Sequence, residues 1–160
     1  MSIATVREYL KQFGRDQDVL ELDASSATVP LAAQALGVLP AHIAKTLSFR
    51  AAQGAILVVT AGDAKVDNKK FKATFGLKAR MLSPEEVLSY TGHPIGGVCP
   101  FALPENSVTV YLDESLRRFP AVYPACGSGN SAIKLNVDEL YQYSRAVGFV
   151  DVCKDWEETP

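Results

Sequence analysis

The segment Gly54–Gly62, GAILVVTAG, constrains the fold more than any other part of the chain. Its seven nearly uninterrupted apolar residues are rich in β-branched side chains and fenced by glycine. Such a run reads as a strand, since helices run longer and repeat their apolar positions about every 3.6 residues. A strand without polar alternation has no solvent face, so it belongs inside a sheet covered on both sides. It is also far too short to cross a membrane, which takes roughly 20 apolar residues.

The elements predicted around it supply those covers. Ile3, Val6, Leu10 and Phe13 recur at helical spacing up to Gly14, with Thr5 and Glu8 spaced as a capping box. Thr28 is placed to cap a helix in VPLAAQAL that ends at Gly37, and Asp67 to cap one that ends at Gly76. Ser83, Pro84 and Glu86 together mark a third start. In KTLSF, Lys45, Leu47 and Phe49 share one strand face and Thr46 and Ser48 the other. Downstream, VTVYL, AVYPA, AIKLNV and FVDVC read as strands, DESLRRF as a helical turn and DELYQYSRAVG as a last helix. Helices and strands mix without a regular βαβ rhythm. Residues 1–160 therefore read as one compact α+β domain with a mixed sheet, partly barrel-like, surrounded by helices.

Charge and cysteine content narrow the classes further. A net charge of −2 argues against a surface that coats nucleic acid broadly. Positive charge is nevertheless concentrated between residues 65 and 80, where Lys65, Lys69, Lys70, Lys72, Lys78 and Arg80 face Asp67 alone. That patch suits either a solvated helix face or a few phosphate contacts. The three cysteines are odd in number and lack CxxC spacing, which points to a reducing cytoplasm rather than a disulfide framework. His42, His93 and the scattered cysteines have no metal-ligand spacing, so neither a metal nor another cofactor is expected.

Two features carry candidate chemistry. Lys45 lies on a partly apolar strand face, where it either snorkels to solvent or holds an anion in a cleft. The segment GHPIGGVCPF, residues 92–101, is too rich in glycine and proline for regular structure. Gly96 and Gly97 allow amides to converge on one point, and Pro100 stiffens the exit. That arrangement fits an oxyanion or anion site, or simply a tight helix-to-strand connection. A nucleophilic Cys99 with His93 as base is a third reading. CGSGN, residues 126–130, is a glycine-rich turn before a strand.

Taken in order, ATVPLAAQALGVLPAHIAKTLSF, TAGDAKVDNKKF, GHPIGGVCPFALP and GSGNSAIKLNVDEL resemble the YbaK/ProX family, over about residues 3 to 150. Its members are free-standing relatives of the editing domain inserted in bacterial prolyl-tRNA synthetase. The resemblance implies that fold and a hydrolase that deacylates mischarged tRNA without a covalent nucleophile. Cysteinyl- or alanyl-tRNA of proline type would be the substrate. It makes Lys45, Gly96 and Gly97 the catalytic set. Thr28, Val29, Thr46, His93, Val98, Pro100, Ser128 and Gly129 become the substrate wall. Lys65, Lys69, Lys70 and Lys72 become contacts to the tRNA acceptor end, with prolyl-tRNA synthetase as an expected partner. The turn at CGSGN is less basic than in many relatives. The competing reading is a catalytically silent module that binds tRNA or a nucleotide.

Overall fold

The structure is a computed structural model that describes residues 2–104 and 107–157, so residue 1 and residues 158–160 of the expected domain lie outside the described residues. In chain order the elements are α1 (Ser2–Lys11), β1 (Leu20–Glu21), α2 (Val29–Leu36), β2 (Ile43–Arg50), β3 (Ala55–Ala61), β4 (Lys65–Val66) and α3 (Asn68–Phe75). Then follow α4 (Pro84–Thr91), β5 (Val108–Asp113), β6 (Tyr123–Pro124), β7 (Ser131–Ala132), α5 (Val137–Tyr143), β8 (Phe149–Val150) and β9 (Cys153–Lys154).

The apolar run is β3, the middle strand of a five-stranded sheet ordered β6-β2-β3-β5-β8. All seven of its residues are buried. The sheet is mixed: β2 and β3 pair antiparallel, whereas β2–β6, β3–β5 and β5–β8 are parallel. Alternation divides β3 between two cores. Leu57, Val59 and Ala61 join Leu10, Phe101, Leu112 and Leu140 on one side. Ile56 and Val58 join Phe49, Phe71 and Val152 on the other. Burying each of the larger side chains contributes roughly 1.5–3 kcal/mol, so covering both faces is what stabilises the run in water. Two short antiparallel pairs, β1–β7 and β4–β9, lie outside the main sheet, and among the described residues the sheet is not closed into a barrel.

The helix caps form as their residue types dictate. Thr28 Oγ1 accepts from the Leu31 amide and Gly37 ends α2 at φ 69°. Asp67 accepts from the Lys69 and Lys70 amides, and Ser83 and Glu86 complete a reciprocal box at α4. Two local expectations differ. Thr5 and Glu8 fall inside α1, which already begins at Ser2, so they do not cap it. The alternating AIKLNV forms a strand only at Ser131–Ala132, with Leu135 reduced to an isolated bridge to Val122.

Candidate active site

A cavity of about 240 Å³ opens over the β2–β6 edge of the sheet. Its floor is the Ala44, Thr46 and Ser48 face of β2, and α2, α4, the 95–98 loop and β7 close around it. The wall mixes small side chains, Ala27, Ala32, Ala44, Ala125 and Ala132, with bulkier apolar ones such as Leu36, Ile43, Met81 and Tyr123. Lys45 contributes to the lining from β2, and no carboxylate lines the cavity among the described residues. Two hydroxyls of the wall, Ser26 Oγ and Thr46 Oγ1, are buried with no hydrogen-bond partner among the described residues. An unsatisfied buried hydroxyl costs about 1–3 kcal/mol, and a polar ligand group relieves that cost.

By alternation the Lys45 side chain leaves β2 opposite Ala44 and Thr46. Its Nζ donates to the carbonyls of Ala64 at 2.6 Å and Gly62 at 3.4 Å, in the turn that follows β3. The ammonium has three donors, so one remains for a ligand. Burial lowers the lysine pKa, while the Asp63 carboxylate raises it and Lys65 lowers it again. Cys153 contributes nothing at neutral pH, because burial pushes its own pKa far up and keeps the thiol protonated. The turn itself is forced by Gly62. A Cβ there would sit 2.1 Å from the Pro40 carbonyl oxygen and 2.8 Å from Val29.

The glycine-proline loop divides its residues between roles. Gly96, at φ 94°, lines the cavity and faces Ala27. Val98 also lines it, and among the described residues nothing accepts from the Gly96 or Val98 amide. Gly97 instead donates its amide to Pro94 O at 3.0 Å and packs its Cα against the Gly127–Ser128 backbone. Ile95, Gly96 and Val98 thus line the cavity with amides that donate to nothing among the described residues, whereas the Gly97 amide is already engaged. Pro100 lines a separate hollow with Tyr9 and Arg145.

His93 lies beneath the loop rather than in the cavity wall, 1% exposed. Its Nε2 donates to Phe101 O at 2.7 Å, which ties the two ends of the loop together, and Nδ1 accepts from the Ser2 hydroxyl. Burial lowers its pKa, so the ring is neutral. Cys99 Sγ sits 3.5 Å from Nε2, but that nitrogen carries the proton it gives to Phe101 and has no lone pair for a thiol. Cys99 is fully buried, and burial pushes its thiol up to about 12. This pair has neither the base nor the access a nucleophile needs.

Thr28, Val29 and Thr46 line the cavity together with Lys45 and Gly96. Ser128 and Gly129 stand behind its wall. Ser128 Oγ binds Asn130 and Ser131, and Gly129 O accepts from the Ser26 amide at 2.7 Å. Sequence reasoning missed Ser26 as a single residue, Gly62, and Ser131, which joins the lining. Lys65, Lys69, Lys70 and Lys72 are exposed outside the cavity. Lys70 is tied to Asp151 at 3.1 Å and to Cys153 O at 3.0 Å. Lys65 feels Lys45 electrostatically, so the patch adjoins the lysine end of the site. Among the described residues no cluster of three His, Cys, Asp or Glu could hold a metal, and no helix is long and apolar enough to cross a membrane.

The fold is thus a mixed-sheet α+β domain whose cavity lies between β2 and a glycine-proline loop. The profile of the aminoacyl-tRNA editing domain matches residues 23–143, and the chain belongs to that family. It is 57% identical over 158 residues to the Bacillus subtilis (strain 168) protein YwhH, covering 98% of this chain and 100% of that one. It is 30% identical over 93 residues to the proline–tRNA ligase of Thermotoga sp. (strain RQ2), a match spanning 58% of this chain and 16% of the ligase. A crystal structure of a candidate trans-editing enzyme for prolyl tRNA synthetase superposes with a TM-score of 0.86 at 33% identity, over 96% of this chain and 97% of the other.

Proposed function

We propose that this chain hydrolyses the ester of mischarged tRNA as a free-standing editing domain, removing cysteine or alanine from tRNA of proline type. The observation that carries the reading is that Lys45 and Gly96 line one cavity that has five alanines in its wall. An aminoacyl ester is already activated, so holding it and stabilising charge on its carbonyl oxygen supply most of the acceleration. The remaining Lys45 donor meets the anionic 3′ end, and the Gly96 and Val98 amides meet the carbonyl oxygen as it becomes negative. Water attacks with help from the substrate's own ribose hydroxyl, or a cysteinyl substrate uses its own thiol. Alanine-lined walls fit a short side chain, and the absence of a carboxylate from the described lining leaves a cationic side chain without a partner. Ser26 and Thr46 offer their hydroxyls to the polar atoms of the aminoacyl group. Lys65, Lys69 and Lys72 meet phosphates of the acceptor end, and a synthetase of the proline system is the natural partner for presenting the tRNA.

The test is deacylation of cysteinyl- and alanyl-tRNA of proline type by the wild-type protein and by Lys45→Ala. The expected result is cleavage by the wild type and a loss of about 10²-fold or more in the variant, which still folds and melts cooperatively. A wild-type rate in Lys45→Ala removes the lysine from the mechanism. Binding of charged tRNA with no cleavage of either ester by the wild type establishes a silent binding module instead.

A further inference from the structure

The turn that holds Lys45 contains its own competitor. Gly62 and Ala64 lend their carbonyls to the ammonium, and Asp63 between them carries a carboxylate. An acid placed between the two residues that hold a half-buried ammonium is a natural ion-pair partner for it. Here both carboxylate oxygens go elsewhere: Arg118 donates from one terminal nitrogen to Oδ2 at 2.9 Å and from the other to Oδ1 at 2.5 Å. This two-pronged grip is the geometry that favours arginine over lysine.

Arg118 is in no position to share that carboxylate. Its side chain is 4% exposed, its Nε donates to Ser115 O at 2.8 Å, and it also donates to Glu157 O at 2.8 Å. Its guanidinium lies 4.7 Å from the Phe119 ring centre and 4.9 Å from that of Trp156. The guanidinium is thus fixed on every side, and it fixes Asp63. The acid still exerts its field on the lysine, because Asp63 and Lys45 each shift the other toward its charged form. The other titratable groups bearing on Lys45 are Cys153, which stays protonated, and Lys65, which repels it.

We propose that Arg118 is a positioning residue that diverts the Asp63 carboxylate from Lys45, so that the ammonium stays open to the anionic end of the substrate. Without the guanidinium, a χ1 change at Asp63 brings its carboxylate to Nζ and closes the site by an internal ion pair. The inference rests on the reading of Lys45 as the anion-binding group, and two readouts separate the two ideas.

The first readout does not depend on activity. Protein carrying 13C-labelled lysine is titrated by NMR as wild type, Arg118→Gln, Asp63→Asn and the double variant. The Lys45 titration point is expected to rise in Arg118→Gln, fall in Asp63→Asn, and return from its raised value in the double variant. The second readout is deacylation of alanyl-tRNA of proline type. Arg118→Gln should raise KM about tenfold or more, the scale of a charged hydrogen bond, and the double variant should recover most of that loss. A purely structural role predicts the opposite, since the double variant lacks more bonds than either single one. A double variant as impaired as Arg118→Gln, or a Lys45 titration point unmoved by either substitution, overturns the proposal. If Arg118→Gln does not fold, Arg118→Lys keeps the charge without the fork and should raise the Lys45 titration point by a smaller amount; no rise overturns the proposal equally. An inert wild type with the expected titrations refutes the deacylase reading alone.

Discussion

Gly97→Ala offers the sharpest test of how the loop works. The added Cβ would stand 2.6 Å from the Ser128 amide nitrogen and 2.7 Å from Gly127 C and Ser128 Cα, all of them backbone atoms. Ordinary contact begins near 3.4 Å, so the loop or the facing turn must retreat by about 0.8 Å, and no flexible side chain can absorb it. Overpacking of this kind costs roughly 1–3 kcal/mol, each kcal/mol lowering the melting temperature of a chain this size by about 2–4 °C. The functional loss should be larger than the stability loss suggests. Gly97 separates Gly96 from Val98, and a misplacement near 1 Å can cost about 10²-fold in rate. The assay is single-turnover deacylation beside a thermal melt. A variant that melts a few degrees lower yet cleaves at the wild-type rate refutes the idea that packing on the 127–128 turn sets the loop's donors.

Three further outcomes are expected. Thr46→Val removes a buried hydroxyl that lacks a partner, so it should raise the melting temperature by about 2–4 °C while lowering kcat/KM about tenfold; a loss of both stability and activity contradicts this. Cys99→Ala should retain activity, and the wild-type thiol should resist alkylation below pH 9, because burial holds it protonated up to about 12. Lys69→Ala with Lys72→Ala should flatten the salt dependence of tRNA binding by roughly 0.7–0.9 for each phosphate no longer neutralised, and an unchanged slope moves the interface elsewhere. These two lysines are preferred because Lys70 is already engaged by Asp151 and Cys153.

What the sequence revealed was mostly what short stretches decide by themselves. Thr28, Asp67 and Ser83 cap helices through bonds to amides two or three residues away, so spacing alone locates them. β3 was readable because its burial leaves no polar alternation. The pairing of distant segments was not. The packing of Gly97 on Ser128 joins two glycine-rich stretches that composition read separately, one as an anion site or tight connection and the other as a turn. Asp63 and Arg118 are 55 residues apart, and an acid in one turn does not name its arginine. His93 looked like a site residue from its neighbours in the chain, yet its ring lies under the loop, where Ser2 and Phe101 satisfy it. Thr46 was placed correctly on a strand face, but only the three-dimensional wall shows that its hydroxyl has been left without a partner.

The grip of two carbonyls on Lys45 also bears on affinity. A free lysine side chain surrenders up to about 2 kcal/mol of rotamer entropy when it is immobilised. In this protein much of that loss occurs as the chain folds, since Nζ is already moored to Ala64 and Gly62. A partner arriving as a flexible single-stranded tail must order itself, but it meets a cation that is already still. An anchored ammonium therefore lowers the ordering cost of binding an anion, which is affinity gained without any new contact.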